Sequence, residues 1–396
     1  MGKINPKHSF LFYSIMLILI AISMRATNNM VVTTVPLYSK YILKFSYELT
    51  AAVAAIIYLG TVMATTFINT RIGPEFRRIL FIISNLFLII FLILYYFSGN
   101  LSVFLISFLI GMAYGIILPN IVTSAGLYPD ERKRERLLAI YSVGLSFSLV
   151  FGPSLESYLL TITNYRAIFL FFAPVALIGF LVSFFIEFPE DSNRKARKPI
   201  IHKRPLYLSI LTITTYNIPF AALTVFLAIF AETRFHVSSF LAYLPFVFFF
   251  SVSLVTRIVL SIRPVRNIRN VLAIAPAITI AVLMAFPFLP NYLSFVAMMM
   301  LLGIPHGSIF PIATIEISRG SLPSERNAMN SYFYSYNMVL FMVIPLIFSL
   351  IITYIGFEKT FALLIIPVAI SLAIIILKFW NSNDILGERN SKNIKN

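Results

Sequence analysis

Residues 11–38 read LFYSIMLILIAISMRATNNMVVTTVPLY, and the interpretation of this stretch decides the fold. As a helix it is long enough to cross the hydrocarbon core of a bilayer. Its first half is almost entirely apolar, whereas Arg25, Asn28 and Asn29 interrupt the second half and Pro36 closes it. At spacings i, i+3 and i+4 those three polar residues share one helix face, with Thr33 one to two turns further on. An arginine near mid-bilayer costs roughly 3 kcal/mol on insertion scales, a cost offset here by Leu17, Ile18, Leu19 and Ile20. A charge so placed faces protein or water and not lipid, so this helix is expected to form one wall of a polar cavity.

The remainder of the chain has the same character. With 59% hydrophobic residues, 12% charged residues and a mean hydropathy of +0.90, the 396 residues offer too little polar surface to cover a soluble globule. The chain reads as a multi-pass protein of a lipid bilayer. A formal net charge of +16 would suggest nucleic acid as the partner of a soluble chain, but here the charges fall in loops between apolar segments, and nucleic acid is excluded. Cysteine is absent, which removes disulfides, thiolate chemistry and cysteine-ligated metals. Lys3 and Lys7 before an apolar run imitate a secretory signal; without a small-residue cleavage site, and with Arg25, the run reads as an uncleaved first span.

Twelve apolar segments are long enough to span: approximately 9–38, 47–69, 78–97, 101–126, 136–161, 165–187, 206–232, 237–261, 270–288, 292–317, 327–354 and 360–380. This predicts an all-α integral membrane fold of two six-helix halves. Residues 1–187 form the first half, 188–205 a basic cytoplasmic linker, 206–381 the second half and 382–396 a polar cytoplasmic tail. Of the 31 lysines and arginines, 25 fall in the N-terminus, the even-to-odd loops and the tail, five in the opposite loops, and Arg25 within a span. That asymmetry places both termini in the cytoplasm.

The two halves repeat. A shift of 192 residues lays Gly111, Gly115 and Pro119 of segment four on Gly303, Gly307 and Pro311 of segment ten. It also lays Arg71 on Arg263, Arg77 on Arg269, and Pro153 on Pro345. The plan is that of a tandem-repeat transporter of parallel halves.

Twelve spans in two halves, the basic linker, the loop Arg71-Ile72-Gly73 followed by Arg77-Arg78, and Gly152-Pro153 in segment five together resemble the major facilitator superfamily. The resemblance covers nearly the whole chain. The fifth-segment motif is partial, with Glu156 and Ser157 where the family carries a glycine pair. The resemblance implies a central cavity lined by segments one, four, seven and ten, opened alternately to each side, with segments three, six, nine and twelve as an outer scaffold. Segments three and twelve are nearly unbroken Phe, Leu and Ile, as lipid-facing helices should be.

Arg25, Asn28, Asn29, Tyr114, Asn120, Tyr216, Asn217 and His306 are the polar residues of the four cavity segments and form the candidate substrate site. Each also has a structural reading. Arg25 could pair with a carboxylate, the asparagines could bond between helices, and Tyr216 and Asn217 precede Pro219, which frees backbone groups. An imidazole ordinarily titrates near neutrality, so His306 could handle protons or line a wall. Glu156 and Glu316 are the acids within apolar segments and either could carry a proton; Glu156 could instead sit in a wetted vestibule, and Glu316 could pair with Arg319. Arg71, Arg77, Arg78, Gly152 and Pro153 are candidates for coupling or gating, and the four glycines of segments four and ten read as close helix contacts.

No protease pair, clustered metal ligands or phosphate-cradling loop is present, so the chain is read as a non-enzyme without cofactors. The expected activity is secondary active transport of a small solute coupled to an ion, most plausibly the proton. Buried positive charge without an acid at cavity depth favours an anionic or carboxylate-bearing metabolite. The alternative is proton-coupled export of hydrophobic compounds or drugs. The expected setting is the plasma membrane, as a monomer.

Overall fold

The computed structural model describes residues 9–69, 74–126, 131–188, 203–262, 267–320 and 326–386. Among them twelve long helices follow one another: α1 (Phe10–Leu37), α2 (Tyr47–Met63), α3 (Pro74–Phe97), α4 (Ser102–Gly126), α5 (Glu131–Leu159) and α6 (Tyr165–Ser183), then α7 (Lys203–Phe235), α8 (Ser239–Ile262), α9 (Arg269–Ala285), α10 (Tyr292–Gly320), α11 (Arg326–Leu363) and α12 (Ile365–Phe379). A short α13 (Asn383–Leu386) ends the described chain. Arg71, Arg263 and most of the linker and tail lie outside the described residues, as does the side chain of Arg319.

Short polar caps start the helices. Ser9 accepts from the Phe12 amide at 3.3 Å, Ser46 from Leu49 at 3.3 Å, and Asn164 from Arg166 and Ala167 at 3.0 and 3.1 Å, each satisfying donors that a helix start leaves open. Pro36 removes a backbone donor near the end of α1, and the next turn, Tyr38–Ile42, widens into a π-helix. A second π-helical turn, Ala64–Asn69, ends α2.

The break between the last two segments lies within the gap expected between residues 354 and 360. α11 runs to Leu363 but breaks at Gly356, whose φ of 80° is left-handed. α12 alone has 15 residues, about 22 Å of helix, which is short of a bilayer core. Residues 357–363 supply the missing turns, so the final crossing begins just after Gly356.

The chain divides into two compact units, Met1–Lys195 with Val237–Leu244, and Ala196–His236 with Pro245–Asn396. In the first, α1 packs on α5 and α6, α2 on α4, and α3 on α4 and α6; in the second, α7 packs on α10, α11 and α12, and α9 on α10 and α12. The first turns of α8 belong to the first unit. Along α3, Ile79, Ile83, Leu86, Phe87, Ile90, Leu94 and Phe97 are exposed at helical spacing, an apolar stripe suited to lipid. α12 shows the same character at Ile366, Ile370, Ile376 and Leu377.

The repeat holds at the level of atoms. A methyl group at Gly111 would collide with the Ile57 carbonyl, and one at Gly115 would lie 2.5 Å from the Thr61 carbonyl. One at Gly303 would lie 2.5 Å from the Phe249 carbonyl, and one at Gly307 2.6 Å from that of Ser253. Both ends of each contact shift by 192 positions, so α2–α4 and α8–α10 are the same backbone-to-backbone crossing built twice. Thr61 and Thr65 of α2 reinforce the first copy by donating to the Gly111 and Gly115 carbonyls, each at 3.1 Å.

Candidate functional site

In the first unit, the polar face of α1 meets α5. Arg25 is half-buried and its Nη2 donates to the Tyr141 hydroxyl at 3.4 Å. Asn28 and Asn29 are half-buried on the same face, and the Asn29 Nδ2 is enclosed without a hydrogen-bond partner. Two turns on, Thr33 Oγ1 lies 3.0 Å from Glu156 Oε2 and 3.3 Å from Oε1, and Glu156 is fully buried. The Tyr243 hydroxyl, from the first turns of α8, reaches the same carboxyl and also lies 3.0 Å from Thr34 Oγ1. Ser157 adds a bond from α5 to the Phe240 carbonyl at 3.1 Å. No cation among the described residues adjoins Glu156.

This arrangement limits the chemistry. The Thr33 hydroxyl has one hydrogen, and the Asn29 carbonyl at 2.8 Å, the Met30 carbonyl at 3.2 Å and the Glu156 carboxyl all compete for it. An ionised Glu156 must draw that hydrogen away from α1. A neutral Glu156 can donate its own hydrogen to Thr33 Oγ1 and leave the bond to Asn29 intact.

The other expected residues are distributed differently. Tyr114 is buried with its hydroxyl turned toward Thr27 on α1. Asn120 is committed to packing: its Nδ2 donates to Asn69 Oδ1 at 2.8 Å and to the Ile116 carbonyl at 2.7 Å, pinning α4 to the π-helical end of α2. Gly152 faces Ala26 of α1 with room for a methyl group, 3.4 Å from the nearest atom. Arg78 donates from Nη2 to the Phe184 carbonyl at 3.1 Å, at the end of α6, and Arg269 similarly donates from Nε to the Trp380 carbonyl at 2.8 Å beyond α12. Cations there complement the negative ends of the helix dipoles.

In the second unit, Asn217 Nδ2 donates to Asn337 Oδ1 on α11 at 2.5 Å, and Thr214 and Tyr336 share a 2.6 Å bond. Glu316 is fully buried and accepts from Thr212 Oγ1 at 2.9 Å across α7 and α10. Tyr216 and His306 sit together, ring centroids 5.4 Å apart. Arg257, which the charge count assigns to a cytoplasmic loop, instead lies half-buried inside α8 with its charge in reach of both rings. Its position inside the apolar window 237–261 was the available signal. Tyr141, Tyr243 and Asn337 carried none, since an isolated tyrosine or asparagine in an apolar run does not name its partner.

The Major Facilitator Superfamily model matches residues 17–319. The chain belongs to that superfamily. No curated protein matches it in sequence. Among solved structures, it is similar to a bacterial homolog of the human lysosomal transporter Spinster in an inward-facing and occupied conformation, at 14% identity and a TM-score of 0.68, with 93% of this chain and 96% of that one covered. The peptide transporter POT gives 13% identity and a TM-score of 0.72 over 95% and 96%. The nucleoside transporter NupG gives 13% and 0.68 over 93% and 100%. At these identities the likeness is one of fold; it is membership of the superfamily, with its apolar helices, that makes the chain a multi-pass membrane transporter of small molecules.

Proposed function

We propose that this superfamily member moves a small anionic or carboxylate-bearing metabolite across the plasma membrane by alternating access, with protons as the coupling ion and Glu156 as the group that binds them. The observation that carries the reading is the single Thr33 hydrogen shared between the α1 backbone and a buried carboxyl served by hydroxyls alone. A carboxylate enclosed in this way is costly without a cation, so its proton is retained until the surroundings change. Gain or loss of that proton switches the donor between α5 and α1. α1 carries Arg25 two turns earlier, at the face where an anion would be held. Asn28 and Asn29 add hydrogen-bonding groups there.

Proteoliposomes test the coupling. Glu156→Gln, which mimics the neutral acid, is expected to abolish accumulation driven by a pH gradient while retaining solute exchange at equal pH. Undiminished gradient-driven accumulation by that variant would remove Glu156 from the mechanism. Arg25→Gln is expected to abolish uptake of anionic solutes; anion uptake left intact beside loss of a cationic solute would reverse the charge preference. Export of hydrophobic compounds is the second reading, supported by Gly152-Pro153 and the aromatic content. Hypersensitivity of a deletion strain to hydrophobic toxicants, with normal growth on organic acids, would favour it.

A further inference from the structure

α7, α8 and α10 surround one imidazole with four aromatic rings. The His306 centroid lies 4.4 Å from Phe220, 4.9 Å from Phe249, and 5.4 Å from both Phe250 and Tyr216. His306 is 9% exposed and Tyr216 2%, yet neither imidazole nitrogen nor the phenol oxygen has a hydrogen-bond partner. Buried polar groups are normally satisfied, and three left open in one cluster are a strong departure. Plain packing would be better served by leucine or phenylalanine at both positions.

The repeat sharpens this point. The 192-residue shift maps Tyr216, Phe220, Phe249 and His306 onto Met24, Asn28, Ile57 and Tyr114, which form no such box. The α8–α10 crossing is duplicated in α2–α4 without these rings, so the fold does not require them. Tyr216, Phe220 and Phe249 stack in near-parallel fashion, at 5.6 Å and 24°, then 5.7 Å and 17°. Tyr216 and Phe249, at the two ends, are buried, whereas Phe220 between them is only half-buried, which leaves its edge open. A flat ring is the shape that packs edge-to-face on such an edge. An imidazole N–H and the phenol O–H are two open donors side by side, and they suit an acceptor that carries negative charge.

We infer that the Tyr216–Phe220–Phe249 stack with His306 is a subsite for an aromatic carboxylate, the solute ring packing on the open edge of Phe220 and its carboxylate taking hydrogens from His306 and Tyr216. This rests on the reading of the chain as an anion carrier and names the class of anion. The test is binding of benzoate, cyclohexanecarboxylate and benzylamine to the purified full-length protein by calorimetry. Benzoate is expected to bind about tenfold more tightly than its saturated isostere, the difference expected of about one good aromatic pair. Phe220→Leu is expected to erase that preference, and Tyr216→Phe, which keeps the ring, to weaken benzoate while preserving a cooperative melt. Equal affinities for the two carboxylates would overturn the subsite and leave the anion carrier standing. Tighter binding of benzylamine, or no binding of any of the three to protein that melts cooperatively, would also overturn it. The parent reading fails differently: Arg25→Gln would then leave uptake of anionic solutes intact, whatever the affinity measured at this subsite.

Discussion

Two buried carboxyls each accept from one threonine, Glu156 from Thr33 and Glu316 from Thr212, and the surroundings separate their roles. Thr33 bonds its own helix backbone as well, so the charge state of Glu156 is felt along α1, whereas the Thr212 bond to Glu316 joins α7 to α10 side chain to side chain. Glu156→Gln is therefore expected to uncouple transport from pH, and Glu316→Gln to lower stability by about 1 kcal/mol without uncoupling, as for one modified hydrogen bond. Equal pH profiles for the two variants in reconstituted uptake would refute the assignment. Thr33→Val, isosteric but without a donor, should reproduce the Glu156→Gln phenotype in part, because it removes the hydrogen for which backbone and carboxyl compete. These two acids, and the Arg25 face, were legible as polar residues in apolar runs. Their partners were not, because Thr33 and Glu156 stand 123 positions apart and nothing in either segment refers to the other.

At the scale of the helix, the glycines divide by what faces them. Gly60 and Gly111 abut backbone of the opposing helix, so an added methyl group has nothing that can swing aside; Gly152 has 3.4 Å of clearance. Gly60→Ala and Gly111→Ala are each expected to cost about 1–3 kcal/mol, the range for overpacking, and to lower the melting temperature by several degrees. Gly152→Ala should melt like the parent, although it belongs to the motif that resemblance singled out. A melt of Gly111→Ala indistinguishable from the parent would mean that the α2–α4 crossing is looser than its carbonyl contacts imply. Gly356→Ala is a separate case: its φ of 80° strains any side chain, with a cost of about 1 kcal/mol. The GxxxGxxxP pattern made Gly111 and Gly303 readable in advance. Gly60 and Gly356 belong to no repeated pattern, and only the backbone contact in one case and the dihedral in the other reveal them.

For the molecule as a whole, helix number and repetition follow from the apolar runs and the 192-residue shift, because each span must bury its backbone polar groups and each crossing must bring two backbones close. The end of the eleventh segment was legible by the same logic, since Glu358 and Lys359 interrupt the apolar run beside the break at Gly356. Orientation depends on charge alone: with Arg257 placed inside α8, 24 of the 31 cationic residues remain on one set of loops, and both termini are expected in the cytoplasm. The absence of cysteine makes this directly measurable, because any introduced thiol is unique. Gly99, between α3 and α4, has no atom within 4 Å of an added Cβ, so Gly99→Cys leaves packing untouched. In intact cells Gly99→Cys should react with a membrane-impermeant maleimide, whereas Ser192→Cys, in the basic linker, should react only after the membrane is opened. The reverse pattern would turn the protein over in the membrane and place both termini on the side opposite the cytoplasm.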